Sequence, residues 1–332
     1  MVAKMANKIN RVSTYHLICY PLYPMQKITL WRPSLSTYFN ESYLKEEKKL
    51  ADQLGFTYHF SKVQPEGPTI LLSNTHLDQF FYNNLSSNCQ LIIHPNSGHD
   101  GIPFQFVKKS PAPILLGNPI RANAVAEYVL WAIARTHFYK EPKKKKWDKL
   151  RSFDRSELAT KKIQLIGHGH VGRILEKKLC PLFSTLWISD PLKKKNELHF
   201  KEADIIILCC ELTPQNKYFF NKKIFSELKS NVHIINPARG GLIKESELLK
   251  FLKKNKDAHA TIDVFESEPK NFSLFKGFSN LTATSHVAGV FDGLAQTQLH
   301  FIQNILENYL KLKLNIFLNK YEALHLQKKG TL

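Results

Sequence analysis

The chain has 332 residues, enough for two ordinary domains, and an apolar fraction of 43%, that of a soluble globular protein. Its formal charge is +19, from 47 Lys and Arg against 28 Asp and Glu, a balance that attracts anions of any size. The lysines are scattered, however, and the runs Lys143–Lys146 and Lys193–Lys195 lack interleaved aromatics. A solvated surface is expected, not a specific nucleic-acid site.

Five cysteines with no C-x-x-C pair read as reduced thiols of a cytoplasmic protein, neither a disulfide framework nor a metal site. The first 40 residues lack Asp and Glu, a faint hint of a transit peptide. Their one apolar stretch, Leu17–Tyr23, is short and broken by Pro21, so neither a secretory signal nor a membrane span is expected.

Residues 1–33 carry little signal beyond a possible strand at Tyr15–Tyr20. Asn40–Leu54 has helical spacing and Gly55 ends it. Short apolar runs at Phe56–Phe60, Thr69–Leu72 and Leu91–His94 predict strands, with a helix at Leu77–Leu85. After the third run, the loop Pro95-Asn96-Ser97-Gly98-His99-Asp100-Gly101 is rich in small residues. It could turn backbone N–H groups toward a ligand carboxylate, or be an ordinary turn. A strand at Ile114–Leu116 and an apolar helix from Asn123 to His137 follow, then a charged connection, Lys140–Ser156.

The stretch Lys162–Asp190 is the most informative. An apolar run, Ile163–Ile166, leads into Gly167-His168-Gly169-His170-Val171-Gly172. A helix with Ile174, Leu175, Leu179 and Leu182 on one face and a second run, Leu186–Ile188, end at Asp190. This is the dinucleotide fingerprint in its proper context. Gly167 permits the tight turn, Gly169 lets backbone approach a pyrophosphate, and Gly172 lets helix pack on strand. The helix N-terminus favours phosphate. Asp190 is placed for a ribose diol and would repel a 2′-phosphate, which argues for NAD over NADP.

Alternation continues with strands at Ala203–Cys210, Val232–Asn236, His259–Val264 and Leu281–Thr284 and helices at Asn221–Leu228 and Lys244–Lys253. A long helix, Asp292–Leu312, and a basic tail finish the chain, so no C-terminal regulatory domain is expected. Such alternation implies parallel sheets, whose ligands bind at the carboxyl ends of strands. Arg239, Glu268 and His286 each stand just past such an end. Singly, each has a structural explanation. Together, a fixed cation, a carboxylate and an imidazole suit proton transfer on a carboxylate-bearing substrate beside a nicotinamide.

These segments resemble the D-isomer-specific 2-hydroxyacid dehydrogenases. The matching stretches are Asn123–Tyr128, the glycine turn, Asp190-Pro191, Leu212-Thr213-Pro214, Asn236–Gly240, Asp263–Pro269 and His286–Gly289, in the family's order and spacing. The resemblance is dense from about 91 to 310. It implies a Rossmann-type NAD domain, 120–291, inserted into a smaller flavodoxin-like α/β substrate domain made of 1–119 and 292–332. It implies a homodimer, and the cofactor NAD held by Gly167, Gly169, His170, Val171, Gly172, Asp190, Thr213, Ala238, Asp263 and Gly289, with Asp263 on the carboxamide. It gives Arg239 and the amides of Ser97 and Gly98 the substrate carboxylate, His286 the acid–base role, and Glu268 the task of orienting His286.

Three departures stand out. Ser285 replaces the usual proline, which predicts a looser His286, and Glu211 replaces another proline near the cofactor. The segment from Asp190 to Ala203 is short, which predicts an open adenine pocket. Retained Glu268 argues against formate dehydrogenase relatives, which carry glutamine there. A phosphorylated substrate, such as 3-phosphoglycerate or erythronate 4-phosphate, and a non-catalytic NAD(H)-sensing scaffold are the alternatives.

Overall fold

Two parallel sheets carry the chain. The computed structural model describes residues 27–96, 98–110, 112–137, 157–190 and 197–328. Tyr15–Tyr20, Ser97, Pro191, both lysine runs and the whole charged connection lie outside the described residues.

The first sheet comprises β1 (Thr29–Arg32), β2 (Thr57–Phe60), β3 (Thr69–Leu72), β4 (Cys89–His94) and β5 (Ile114–Leu116), in the order β2-β1-β3-β4-β5. All pairings are parallel, and this is the flavodoxin order. Helix α1 (Glu41–Gln53) starts where Asn40 accepts the Ser42 N–H and ends before Gly55, whose φ of +83° suits a residue without Cβ. Helix α2 (Gln79–Asn83) is shorter than its apolar run, and α3 (Phe104–Lys109) has too few residues to display a period. Strand β1 was illegible for the same reason, although all four of its residues are buried.

Helix α4 (Asn118–His137) begins five residues before the expected Asn123. Pro119 sits in its first turn, where a missing N–H leaves no intrahelical bond unmade. Its Ala126, Val129, Ala132 and Ile133 pack into the core of the second sheet.

That sheet holds β6 (Lys162–Ile166), β7 (Thr185–Ser189), β8 (Ile205–Leu208), β9 (His233–Asn236), β10 (His259–Ile262) and β11 (Leu281–Ala283), ordered β11-β10-β9-β8-β6-β7. The order reverses at β6, which creates a crevice at its carboxyl end. Helices α5 (His170–Leu179), α6 (Lys222–Glu227) and α7 (Glu245–Lys254) connect the strands. Leu175 and Leu179 are fully buried, but Leu182, expected on the same face, is exposed because α5 has already ended. Among the described residues β7 is the edge, with no further strand beyond it.

Helix α8 (Leu294–Lys311) returns the chain to the first sheet, where Ile302, Ile305 and Leu306 join one core with Leu30, Ile70, Leu72 and Leu115. The basic tail after α8 is folded. Helix α9 (Leu314–Lys320) and the turns after it bury Phe317, Tyr321, Leu324 and Leu326. Phe317, Tyr321 and Leu324 are spaced for one helical face, and burying a large apolar side chain contributes roughly 1.5–3 kcal/mol. The protein is thus a Rossmann-type doubly wound domain inserted into a smaller flavodoxin-like α/β domain. No helix among the described residues is long and apolar enough to cross a membrane.

Candidate active site

The glycine turn separates its three tasks cleanly. Gly167 has φ +102°, and a Cβ there would lie 2.6 Å from the Cys209 backbone. A Cβ on Gly172 would lie 2.3 Å from the Gly167 carbonyl oxygen, so α5 packs directly on the turn. A Cβ on Gly169 would meet nothing within 4 Å. That glycine is exposed and leaves room at the turn for a ligand. The space lies at the N-terminus of α5, where unpaired N–H groups favour phosphate. A cavity of about 310 Å³ beside it is lined by Pro119, Ala122, His170, Arg173, Ile174 and Lys177, among others. Val171 packs inward against the core.

Asp190 follows β7 directly and is nearly buried, with Oδ2 accepting the His168 N–H at 3.1 Å. The turn and the acid are thereby fixed to each other. The residues fit a dinucleotide: open space at Gly169, a helix terminus, and a carboxylate at the edge strand for a ribose. Thr213 is held through its N–H by Asn216 Oδ1 at 2.7 Å, and the Ala238 N–H by Asn236 Oδ1 at 3.1 Å.

Beyond β9, β10 and β11 stand the three reactive residues. Neighbouring strands are about 4.8 Å apart, so their ends converge on one edge. Gly240 makes this convergence possible, because a Cβ there would fall 1.8 Å from the Phe265 carbonyl oxygen. The Phe265 N–H in turn donates to Glu268 Oε1 at 3.0 Å. Glu268 Oε2 lies 2.7 Å from His286 Nδ1. Among the described residues His286 Nε2 has no protein partner.

His286 itself has φ +56°, a left-handed conformation that costs a residue with a Cβ and persists only where the surroundings impose it. They do so here. The His286 N–H donates to the Asp263 carbonyl at 2.8 Å, and the Tyr38 hydroxyl lies 3.5 Å from the His286 carbonyl. The loosening expected from Ser285 is thus opposed by fixed bonds.

Asp263 is fully buried. Its Oδ1 accepts from the Thr284 hydroxyl at 2.6 Å and the Val287 N–H at 2.8 Å, and Oδ2 from the Ala288 N–H at 2.8 Å. Tyr128 on α4 reaches Thr284 at 2.7 Å, and burial pushes its hydroxyl up to about 12, so it stays protonated. Asp263 therefore ties down the 284–288 loop, a task the sequence reading did not give it. Gly289 accepts through its carbonyl from Arg121 Nη1 at 3.0 Å.

Arg239 meets the first domain. Its Nε donates to Asp100 Oδ2 at 2.5 Å, and a Cβ on Gly98 would lie 2.4 Å from Nη2. The Gly98 loop and Arg239 thus come together as expected; Ser97 lies outside the described residues. The loop is anchored by His94, which sequence reasoning passed over as a strand residue. His94 is buried, with Nδ1 2.8 Å from Ser73 Oγ and Nε2 2.7 Å from the Gly98 carbonyl. Burial, the largest influence, lowers its pKa to about 4. The neutral ring therefore donates from Nε2 to Gly98 and accepts from Ser73. No cluster of metal-binding side chains occurs among the described residues.

Residues 128–288 match the family model described as D-isomer specific 2-hydroxyacid dehydrogenase, NAD binding domain. The hydroxypyruvate reductase of Thermotoga maritima is 30% identical over 218 residues, 60% of this chain and 71% of that protein. The chain belongs to the D-isomer specific 2-hydroxyacid dehydrogenase family. Another relative, the erythronate-4-phosphate dehydrogenase of Wigglesworthia glossinidia brevipalpis, is 29% identical over 279 residues, 79% of this chain and 69% of its own. The D-lactate dehydrogenase of Aquifex aeolicus, solved with NAD and lactic acid, shares the fold. Its TM-score is 0.66 at 16% identity, covering 90% of this chain and 99% of that one. Family membership makes NAD the cofactor, in accord with the open space at Gly169 and the position of Asp190.

Proposed function

We propose that the protein interconverts a D-2-hydroxy acid and its 2-oxoacid. The observation that carries this reading is the 2.7 Å bond from His286 Nδ1 to Glu268 Oε2. It fixes the imidazole plane and leaves Nε2 to face a substrate hydroxyl. During oxidation His286 takes the hydroxyl proton at Nε2; during reduction it returns a proton to the 2-oxo oxygen, a role worth typically ~10²–10⁴ in rate. Arg239 binds the substrate carboxylate through its planar guanidinium, aided by the Gly98 backbone. Gly167, Gly169, His170, Val171, Gly172, Asp190, Thr213, Ala238, Asp263 and Gly289 form the cofactor side. When bound, the nicotinamide supplies or accepts the hydride.

In this reading 120–291 is the NAD domain, and 1–119 with 292–332 is the substrate domain, working as a homodimer in the cytoplasm. Core membership supports the division, since α8 packs with the first sheet and α4 with the second.

The test is NADH oxidation against a panel of 2-oxoacids, including glyoxylate, hydroxypyruvate, pyruvate and 3-phosphohydroxypyruvate. Turnover lost in His286→Ala is the expected result. Silence across the panel with intact NADH binding would replace the enzyme with an NAD(H)-sensing scaffold. A phosphorylated substrate is the second reading, because relatives include an erythronate-4-phosphate dehydrogenase and 3-phosphoglycerate dehydrogenases.

A further inference from the structure

Arg121 is a cation that the proposed reaction does not use. It stands in the first turn of α4, where the chain passes between the two domains. Its Nη1 donates to the Gly289 carbonyl, and a Cβ on Gly289 would lie 3.1–3.2 Å from the arginine's Cδ and Cβ. The stem is therefore pressed against the segment that carries His286. Gly289 lies three residues after His286, a backbone span of at most ~10 Å, so the guanidinium is held against the segment that carries the proposed acid–base residue. On its other side, the guanidinium carbon lies 5.1 Å from the Tyr38 ring centroid, and Tyr38 is the residue whose hydroxyl reaches the His286 carbonyl.

The charges around it are unbalanced. Arg32 is paired with Glu47 and Arg239 with Asp100. Arg121 has no carboxylate within ion-pair distance among the described residues. Burial lowers its pKa, and the one group opposing that shift is Tyr38. A half-buried guanidinium without a counter-anion bears a desolvation cost that an incoming anion would offset. Among the described residues only Nη1 finds an oxygen partner, which leaves the remaining guanidinium N–H groups for other acceptors.

We infer that Arg121 receives a second anionic group of the substrate, so that the protein acts on a 2-hydroxy or 2-oxo acid bearing a terminal phosphate or second carboxylate. The inference rests on the proposed function and names its substrate class. One arginine, Arg239, serves the carboxylate common to all such substrates; the other, Arg121, selects among them.

The test compares charged and uncharged substrates in wild type, Arg121→Gln and Arg121→Lys. Glutamine keeps a donor for the Gly289 carbonyl and loses the charge, whereas lysine keeps the charge. The pairs are 3-phosphohydroxypyruvate with hydroxypyruvate, and 2-oxoglutarate with 2-oxobutyrate. In Arg121→Gln the ratio of kcat/KM for charged over uncharged members should fall on the order of 10–100-fold. In Arg121→Lys most of the ratio should survive. The pair showing the larger effect identifies phosphate or carboxylate as the recognised group. Equal losses on both members of each pair, in both variants, would mean a merely structural arginine and overturn the inference. Weakened NADH binding in step with those losses would assign Arg121 to the dinucleotide instead and also overturn it.

A calorimetric titration of 3-phosphohydroxypyruvate and 2-oxoglutarate into the NAD⁺-loaded protein reads binding without turnover. Tighter binding of either than of its uncharged partner, lost in Arg121→Gln, would support Arg121 even if the panel above showed no activity. In that case the proposed reaction fails and the anion site stands. No preference in wild type overturns the anion site whatever the activity.

Discussion

Arg239 Nε and Asp100 Oδ2 lie 2.5 Å apart, across the two sheets. The guanidinium assigned to the substrate carboxylate thus already holds a carboxylate from the opposite domain. Asp100 is half-exposed, so the pair is screened and worth about 0.2–1 kcal/mol. On the proposed role of Arg239, a substrate carboxylate would compete with Asp100 for the guanidinium. Asp100→Asn should therefore lower KM for the preferred 2-oxoacid by roughly 2–5-fold with little change in kcat. A raised KM in steady-state assays would show instead that Asp100 positions Arg239.

The three glycines of the dinucleotide turn give a second prediction. Gly169 faces open space, whereas Gly172 faces the Gly167 carbonyl at 2.3 Å from a would-be Cβ. Gly169→Ala should leave thermal stability within about 0.5 kcal/mol of wild type but weaken NADH binding at least tenfold by fluorescence titration. Gly172→Ala should lower stability by about 1–3 kcal/mol, because backbone must shift. Equal stability loss in both would deny Gly169 its special relation to the ligand.

Much of this site was legible because its signals are local. The strand–glycine–helix–strand–acid order needs only 29 consecutive residues, Lys162–Asp190, and the structure reproduces each element within a few positions. Arg239, Glu268 and His286 stood out as candidates because each follows a short apolar run. The positioning residues were not legible, since their partners are distant in sequence: Asp263 with Ala288, His94 with Ser73, Arg121 with Gly289, Tyr38 with His286. Nothing in the composition around Tyr38 says that it will meet residue 286. The packing of the tail was not legible because lysines at 311, 313 and 320 mask the apolar spacing of Phe317, Tyr321 and Leu324.

Coenzyme choice should reside in Asp190. A carboxylate at the end of the edge strand accepts a ribose hydroxyl and repels a 2′-phosphate. Asp190→Ala should shrink the preference for NADH over NADPH by about tenfold or more, through loss of the repulsion. Because Asp190 also accepts the His168 N–H, NADH affinity itself should fall. An unchanged NADH/NADPH ratio of kcat/KM would remove Asp190 from the ribose.

His94 predicts how the substrate loop responds to acid. Its pKa falls from the usual 6.5 to about 4 because burial penalises the charged ring. Nearby Arg32 also opposes protonation, while Asp100 and the Gly98 carbonyl favour it. Between pH 6.5 and 4 the unfolded chain holds a proton at this site that the folded chain does not. Stability must therefore rise with pH through that window and be lost as pH falls toward 4, by an amount on the order of 3 kcal/mol. His233, fully buried and also lowered, adds to the same acid loss. Urea midpoints measured from pH 7 to 4 should fall less steeply in His94→Gln than in wild type. Glutamine can still donate to the Gly98 carbonyl but cannot titrate, so the difference in slope belongs to the ring's proton. Parallel curves would place the acid sensitivity elsewhere, at His233 or the carboxylates. Because His94 holds the backbone that lies against Arg239, KM for the 2-oxoacid should rise in His94→Phe more than kcat falls, since the loop loses its donor while His286 and Glu268 keep theirs.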